Sequence, residues 1–299
     1  MFDHNVTKPD NLHTFGPSCE LGEGPLWHPV RERLFWFDIP QGLLFSCDAA
    51  GAHRRQWAFG EPASAAGWID RDHLLVATAS GLQLLDLQTS RWETVADLEA
   101  DNPVTRSNDG RTGPDGSFWI GTMGRGLENR AGAYYRFTKG NISRLLGDIS
   151  IPNATCFSPD GSLAYLADTE QQIIWRWPLD DDGAPFGEKE VHIDLRADNL
   201  NPDGAVCDVE GYLWNAQWGA SRLARYRPDG TLDRTINLPV SQPTCPAFGG
   251  AGLTTLYITS AREGLSAEQL EQQPDAGRVL AFTVGVAGFA EKSVRLNGN

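Results

Sequence analysis

Four oxygen-bearing residues of this sequence lie at a matched distance before an apolar tetrapeptide that recurs along the chain. Each precedes its tetrapeptide by 10 or 11 residues and has a glycine or proline close by, and they are Glu23, Asn108, Asn153 and Asp203. Carboxylate and amide oxygens without histidine or cysteine are typical ligands of hard divalent cations, and zinc also accepts carboxylates. If the fold brings them together, they predict one divalent ion, Ca²⁺, Mg²⁺, Mn²⁺, Zn²⁺ or Fe²⁺, with positions left open for water or substrate.

Taken one at a time, these residues allow a plainer interpretation. Asn-Asp-Gly and Pro-Asp-Gly are common turn sequences, so Asn108 and Asp203 are each typical of a turn. Glu23 has no such preference, and the glycines on both sides of it indicate a close approach of the backbone. The matched offset across the repeats, rather than any single residue, favours the metal site.

The elements that would position these residues repeat six times. Apolar tetrapeptides recur 40 to 49 residues apart, the length of one four-stranded blade, and they begin at Leu34, Leu74, Phe118, Ala164, Leu213 and Leu256. Turn sequences such as Pro114-Asp-Gly116 separate short strand-like runs, and only the stretch from Ser266 to Gln273 suggests a helix. These patterns predict an all-β, six-bladed β-propeller, with a pair of β-sandwiches as the structural alternative.

A propeller arranges the innermost strand of each blade around a central channel, so matched offsets become matched heights in that channel. We therefore expect the four oxygen-bearing residues to face one another. The run from His13 to Cys19 is expected to complete the last blade and close the ring. Residues 1–299 are predicted to form one domain, with residues 1–12 as an N-terminal extension.

Charge and composition exclude several kinds of partner. The formal net charge is −14 at pH 7, whereas nucleic acids and anionic membranes are bound through clustered Lys and Arg. A neutral or cationic small molecule, or a metal ion, fits this charge better. No apolar run is long enough to span a bilayer and no signal peptide is evident, so we expect a cytoplasmic protein. The five cysteines form no CxxC pair and are expected to be buried thiols.

The sequence around these residues resembles the family of senescence marker protein 30 (regucalcin), bacterial gluconolactonases and related sugar lactonases. The resemblance runs from about Cys19 to Leu265, and its motifs include Leu21-Gly-Glu-Gly-Pro-Leu-Trp27, Arg106-Ser-Asn-Asp-Gly110, Pro152-Asn153, Pro202-Asp-Gly204 and Leu256-Tyr-Ile-Thr-Ser260. It implies a six-bladed propeller with one divalent metal held by Glu23, Asn153 and Asp203. It also implies that Asp203 is the general base and that Arg106 and Asn108 contact the substrate.

One segment departs from the animal members of that family. The stretch after Met123, from Gly124 to Arg130, is shorter than theirs and lacks their paired acidic residues. It is more similar to the bacterial pentose and hexose lactonases, and Glu128 is expected to supply a substitute contact at the rim of the pocket. The implied partner is a small-molecule sugar lactone, and the implied state is a monomer or weak homo-oligomer.

The expected reaction is hydrolysis of the lactone to the aldonic acid. Asp203 would activate a water for attack on the carbonyl carbon, and no Gly-x-Ser-x-Gly motif offers a serine nucleophile instead. Two alternatives stay open. A non-catalytic, calcium-binding protein of the regucalcin kind would bind metal without turnover, whereas a propeller hydrolase of the paraoxonase or phosphotriesterase kind would usually hold more than one calcium.

Overall fold

The recurring tetrapeptides lie in the second strand of each of six sheets, five with four strands and one with five. In the computed structural model, which describes residues 6, 7, 9 and 11–296, strands that follow one another in the chain pair antiparallel within each sheet. The inner strands of neighbouring sheets contact one another in a closed ring, from the first to the sixth and back to the first. The predicted six-bladed β-propeller is therefore confirmed.

Two short strands, β1 (Val6–Thr7) and β2 (His13–Phe15), precede the first blade. From the channel outward, blade one contains β3 (Gly22–His28), β4 (Arg33–Asp38), β5 (Leu43–Asp48) and β6 (Arg55–Ala58), and blade two contains β7 (Ala63–Trp68), β8 (His73–Thr78), β9 (Gly81–Asp86) and β10 (Trp92–Asp97). Blade three contains β11 (Thr105–Thr112), β12 (Phe118–Gly124), β13 (Gly132–Thr138) and β14 (Asn141–Ile149), and blade four contains β15 (Pro152–Phe157), β16 (Leu163–Asp168), β17 (Ile173–Pro178) and β18 (Glu190–Asp194). Blade five contains β19 (Asn201–Cys207), β20 (Leu213–Trp218), β21 (Arg222–Tyr226) and β22 (Leu232–Asn237), and blade six contains β23 (Pro243–Gly249), β24 (Thr255–Ser260), β25 (Val279–Thr283) and the returning β2.

The N-terminal strand β2 closes the ring, as expected for the run that begins at His13. It pairs antiparallel with β25, with Phe15 opposite Val279. The strand is shorter than the predicted run because Gly16 follows it with a φ of 86°. The earlier strand β1 adds in parallel to β22 of blade five. Residues 1–5, 8 and 10 of the expected extension lie outside the described residues.

Large side chains of the second strands fill the space between blades. Trp36, Trp119 and Trp214 are buried, and all five cysteines are buried as free thiols. The one α-helix of the described residues is α1 (Ala267–Gln272), which begins after the N-cap Ser266 in the segment where the sequence suggested a helix. Within the same described residues, no helix is long and apolar enough to cross a membrane.

Every inner strand changes register close to its start. The shift follows Glu23 in β3, Ala63 in β7, Ser107 in β11, Asn153 in β15, Pro202 in β19 and Pro243 in β23. A β-bulge bends its strand and re-aims the side chains next to it. The six bulges divide the channel into an upper half, at the N-terminal ends of the inner strands, and a lower half, at their C-terminal ends.

The C-terminal segment, residues 286–296, crosses the lower end of the channel. Its backbone forms hydrogen bonds with Val209 of blade five, Leu253 of blade six, Trp68 of blade two and Gly116 of blade three. Four of the six blades are therefore linked by one stretch of chain. The repeat pattern did not predict this segment, because it lies beyond the last repeat.

Candidate metal centre

Five of the six site residues predicted from the sequence line one cavity in the upper half of the channel. The cavity has a volume of about 160 Å³ and is lined by Glu23, Arg106, Asn108, Asn153 and Asp203, with apolar side chains completing its wall. These five residues come from four inner strands, β3, β11, β15 and β19. The matched offsets therefore correspond to a common level in the channel.

Glu23 and Asp203 approach each other across the channel from blades one and five. Each residue is 5 % exposed, and their carboxyl groups lie within hydrogen-bonding reach of each other. Glu23 Oε2 also accepts a hydrogen bond of 2.7 Å from the backbone N–H of Gly24. Gly24 has a φ of 55°, and a Cβ there would lie 2.2 Å from the backbone oxygen of Ser64. Only glycine fits beside Glu23, which explains the Gly-Glu-Gly sequence.

Burial and mutual repulsion perturb both carboxyl groups. Burial, reinforced by the charge of Asp109, raises the pKa of Glu23 to about 8, and Arg106 offsets only part of this effect. Burial raises the pKa of Asp203 well above its usual value, and the nearby charges of Glu23 and Asp109 raise it further. Two buried carboxylates with so little positive charge beside them need either a proton or a bound cation at neutral pH.

The side-chain amide of Asn153 is held in one orientation beside this pair. Its Nδ2 donates to Thr169 Oγ1 at 2.8 Å, and its Oδ1 accepts from Asn108 Nδ2 at 3.1 Å. Thr169 Oγ1 in turn donates to the backbone oxygen of Pro202 at 2.7 Å. These bonds leave the remaining lone pair of the Asn153 oxygen available to a ligand.

The donor set fits a hard divalent cation. Two carboxylates and one amide oxygen would neutralise a doubly charged ion and leave other coordination positions open. No group of three or more His, Cys, Asp or Glu residues suited to a metal occurs in the described part of the chain. The set formed by Glu23, Asn153 and Asp203 contains only two residues of those types, because its third oxygen comes from an amide.

Arg106 and Asn108 form the polar wall above these residues. Arg106 Nη1 donates to Asn108 Oδ1 at 2.8 Å and to the backbone oxygen of Ser107 at 2.9 Å. Burial lowers the pKa of Arg106 to about 10, so the guanidinium keeps its charge at neutral pH. Among the described residues, Nε and Nη2 of Arg106 have no hydrogen-bond partner. These N–H groups are free to bind a ligand in the cavity.

The prediction for Glu128 is not supported, because this side chain does not line the cavity. Its carboxylate bends back onto its own loop and accepts a hydrogen bond of 2.9 Å from the backbone N–H of Gly126. The residue of this loop that does line the cavity is its apolar neighbour Leu127, which has a φ of 60°. The local turn therefore presents a hydrophobic side chain where the sequence suggested a carboxylate.

Several cavity residues were not predicted as site residues from the sequence. Met123, Thr169 and Trp218 each lie two residues after the tetrapeptide of their blade, and Glu263 follows the tetrapeptide of blade six by four residues. The second strands run antiparallel to the inner strands, so their C-terminal ends also reach the upper half of the channel. A second matched offset would have identified the first three of these residues.

The lower half of the channel contains a larger cavity of about 420 Å³, and the two charged side chains of its described lining that are not exposed, Arg111 and Glu291, are paired with each other. Arg111 of blade three donates from Nε to the backbone oxygen of Thr155 at 3.1 Å and from Nη2 to that of Pro246 in blade six at 3.5 Å. Its Nη1 forms an ion pair with Glu291 of the C-terminal segment. Asp109 accepts a hydrogen bond of 2.6 Å from the backbone N–H of Thr155.

Comparisons with known proteins agree with this geometry. The sequence profile described as "SMP-30/Gluconolactonase/LRE-like region" matches residues 21–262. The chain is 37% identical over 272 residues to the 6-deoxy-6-sulfogluconolactonase of Pseudomonas putida, and this alignment covers 91% of this chain and 94% of that protein. It is 37% identical over 278 residues to the L-arabinolactonase of Azospirillum brasilense, over 90% of each chain. The solved structure of the calcium-binding protein regucalcin from Agrobacterium tumefaciens str. C58 matches with a TM-score of 0.91 and 40% identity, over 94% of this chain and 95% of that one.

Proposed function

Because this chain belongs to the SMP-30/gluconolactonase/LRE-like family, we propose that it is a lactonase that hydrolyses a sugar lactone to the aldonic acid with one divalent metal ion. The observation that carries this proposal is the convergence of two buried carboxylates, Glu23 and Asp203, at the floor of a cavity that also presents a free guanidinium edge. Perturbed, unpaired groups of this kind in a cleft are typical of functional sites.

The size and lining of the upper cavity suit a single sugar ring. Its volume of about 160 Å³ lies below the ~300–1,000 Å³ typical of sites for larger ligands. Met123, Ile151 and Trp218 supply apolar surface for the C–H faces of a ring, and Arg106 supplies hydrogen-bond donors for its hydroxyl groups. A monosaccharide lactone is therefore the substrate class we propose.

Each residue of the site has a separate role in the proposed hydrolysis. Glu23, Asn153 and Asp203 would hold the divalent ion, which when bound supplies Lewis acidity toward the lactone carbonyl group. As a general base, Asp203 accepts a proton from the water that attacks the carbonyl carbon, and it returns this proton to the ring oxygen when the ring C–O bond breaks, which gives the open-chain aldonic acid. Arg106 and Asn108 hold the sugar hydroxyl groups, and the apolar wall restricts the access of other water molecules.

The proposal is tested with metal-stripped protein and a panel of pentono- and hexonolactones. We expect turnover to disappear on stripping and to return when Mn²⁺, Zn²⁺, Ca²⁺, Mg²⁺ or Fe²⁺ is added back singly. Asp203→Ala should be inactive with every metal. Near-normal lactonase activity in that variant would contradict the mechanism.

A second candidate function has its own support, since the regucalcin structure that matches this chain is described as that of a calcium-binding protein. On that alternative, the protein binds one ion and turns over no lactone in the panel. Metal stoichiometry separates a further possibility, because a hydrolase of the paraoxonase kind would bind more than one calcium per chain. One ion per chain together with turnover supports the sugar lactonase.

A further inference from the structure

Glu263 lies at the mouth of the upper cavity on a loop that is held firmly at the seam between blades six and one. Its backbone N–H donates to the backbone oxygen of Glu20 at 3.0 Å, and its own backbone oxygen accepts from Gln242 Nε2 at 3.2 Å. The preceding residue, Arg262, also donates its N–H to Glu20. Although the side chain is exposed, its point of attachment to the propeller is therefore fixed.

Within the described residues, the carboxylate of Glu263 is unpaired, and it faces the same cavity as Arg106. No residue of the described chain donates a hydrogen bond to this carboxylate, and Arg106 is its principal positively charged neighbour without forming an ion pair with it. Nε and Nη2 of the Arg106 guanidinium also have no hydrogen-bond partner in the described part of the chain. An acceptor and a donor thus face one small space with no contact between them.

This arrangement matches a hydroxyl group rather than a charged group. A hydroxyl can donate to a carboxylate and accept from a guanidinium at the same time. The charges of the cavity also favour a neutral ligand. The carboxylates of Glu23 and Asp203 would be balanced by a divalent ion, and the carboxylate of Glu263 balances the guanidinium of Arg106. A neutral ligand leaves this balance undisturbed, whereas an anionic group next to Glu263 would be repelled.

We propose that Glu263 determines substrate specificity by accepting a hydrogen bond from a hydroxyl group at the end of the sugar lactone farthest from its carbonyl group. This inference rests on the proposed lactonase function. The candidate metal ligands are buried at the floor of the cavity and Glu263 is exposed at its mouth, so a carbonyl group at the floor directs the far end of the ring toward Glu263. The preferred substrates are neutral lactones that carry this hydroxyl group.

The test compares Glu263→Ala and Glu263→Gln with the control Glu128→Ala, which removes a carboxylate of the rim loop that does not line the cavity. The substrates are an aldonolactone that the wild-type protein hydrolyses, its analogue without the terminal hydroxyl group, and its analogue with a phosphate at that position. For the parent lactone, Glu263→Ala should raise KM about 10-fold, as expected for loss of a hydrogen bond to a charged acceptor, with kcat changed less than about twofold.

Further measurements separate this role from a general disturbance of the fold. Glu263→Gln keeps a neutral acceptor and should give a smaller rise in KM for the parent lactone. Neither variant should change KM for the deoxy analogue, and both should lower KM for the phosphate analogue. Metal affinity and melting temperature should equal those of Glu128→Ala.

Equal KM values for Glu263→Ala and Glu128→Ala on the parent lactone would overturn the inference while leaving the proposed function in place. A rise of equal size on the deoxy analogue would do the same, because no specific hydroxyl group would then be involved. If the wild-type protein hydrolysed no lactone, the proposed function would fail and this inference with it.

Discussion

The upper and lower halves of the channel contain the same kinds of side chain in opposite states of pairing. In the upper half, Glu23 and Asp203 face each other, and part of the Arg106 guanidinium has no partner in the described chain. In the lower half, Arg111 spans the channel from blade three to blade six and is bound by Glu291, whose side chain is only 16 % exposed. The larger cavity is the one in which the least exposed charged side chains, Arg111 and Glu291, are paired.

This difference shows that the state of pairing, rather than volume, distinguishes the candidate site. Buried groups of opposite charge that are paired with each other leave few hydrogen-bonding positions free for a ligand. Buried groups of like charge destabilise the fold unless a cation or a proton binds to them. We therefore expect substitutions in the upper half to affect chemistry and substitutions in the lower half to affect folding.

The largest expected effect is the loss of activity in Asp203→Asn. The amide cannot accept the proton of the attacking water and is a weaker metal ligand, so kcat/KM should fall at least about 10³-fold. The matched control is Asp160→Asn, because Asp160 lines the lower cavity and should keep wild-type kcat/KM. Steady-state kinetics at saturating metal measure both, and comparable losses in the two variants would remove the distinction between the halves.

The next largest effect is the loss of stability in Arg111→Met. Removing one partner of a buried ion pair leaves Glu291 without its counter-charge, which should lower the free energy of unfolding by about 3–5 kcal/mol. Arg106→Met in the upper half is the matched comparison, and it should raise KM with a much smaller change in stability. Denaturant unfolding of both variants gives the free energies. A stable Arg111→Met protein would mean that the lower pair contributes little to folding.

The sequence predicted those parts of the channel that follow the repeat. Glu23, Asn108, Asn153 and Asp203 were identified because six similar blades give each inner strand the same height and the same bulge. Arg111 and Glu291 are 180 residues apart, and the second of them lies beyond the last repeat, so no periodic pattern connects them.

Loops between the strands follow no such period, which is why the sequence did not indicate that Leu127 lines the cavity in place of Glu128, or that Glu263 lies at its mouth. The orientation of Glu128 depends on a local turn with positive φ at Leu127. The position of Glu263 depends on hydrogen bonds to Glu20, at the seam that the N-terminal strand closes. Both features result from tertiary contacts that a repeat alone does not encode.

A smaller effect is expected from Glu23→Gln in metal-free protein. Folding raises the pKa of Glu23 from 4.5 to about 8, so between these pH values the unfolded chain has lost a proton that the folded chain retains. The free energy of unfolding therefore falls as pH rises through this range. Glutamine removes this penalty, and the variant should be more stable than wild type by about 1–2 kcal/mol at pH 7.

With saturating metal, wild type should be more stable than Glu23→Gln, because metal binding stabilises the folded wild-type protein and the variant largely loses this binding. Thermal unfolding with chelator and with metal measures both states, and Glu128→Gln should follow wild type in each. A metal-free Glu23→Gln protein less stable than wild type would show that the upper carboxylates are already satisfied without a cation.

The smallest effect concerns the pH dependence of metal affinity. Below pH 8 the raised pKa of Glu23 means that the carboxyl pair retains a proton, which a metal ion must displace on binding. Affinity should therefore increase with pH between 6 and 8, by up to about tenfold per pH unit, and level off above the pKa.

Calorimetric titration in two buffers with different ionisation enthalpies counts the protons that are released when the metal binds. Glu128→Gln should release as many protons as wild type, because Glu128 does not line the cavity, and Glu23→Gln should release fewer. A flat affinity between pH 6 and 8 would mean that the two carboxylates do not compete for one proton, and the contrast between the halves would then rest on geometry alone.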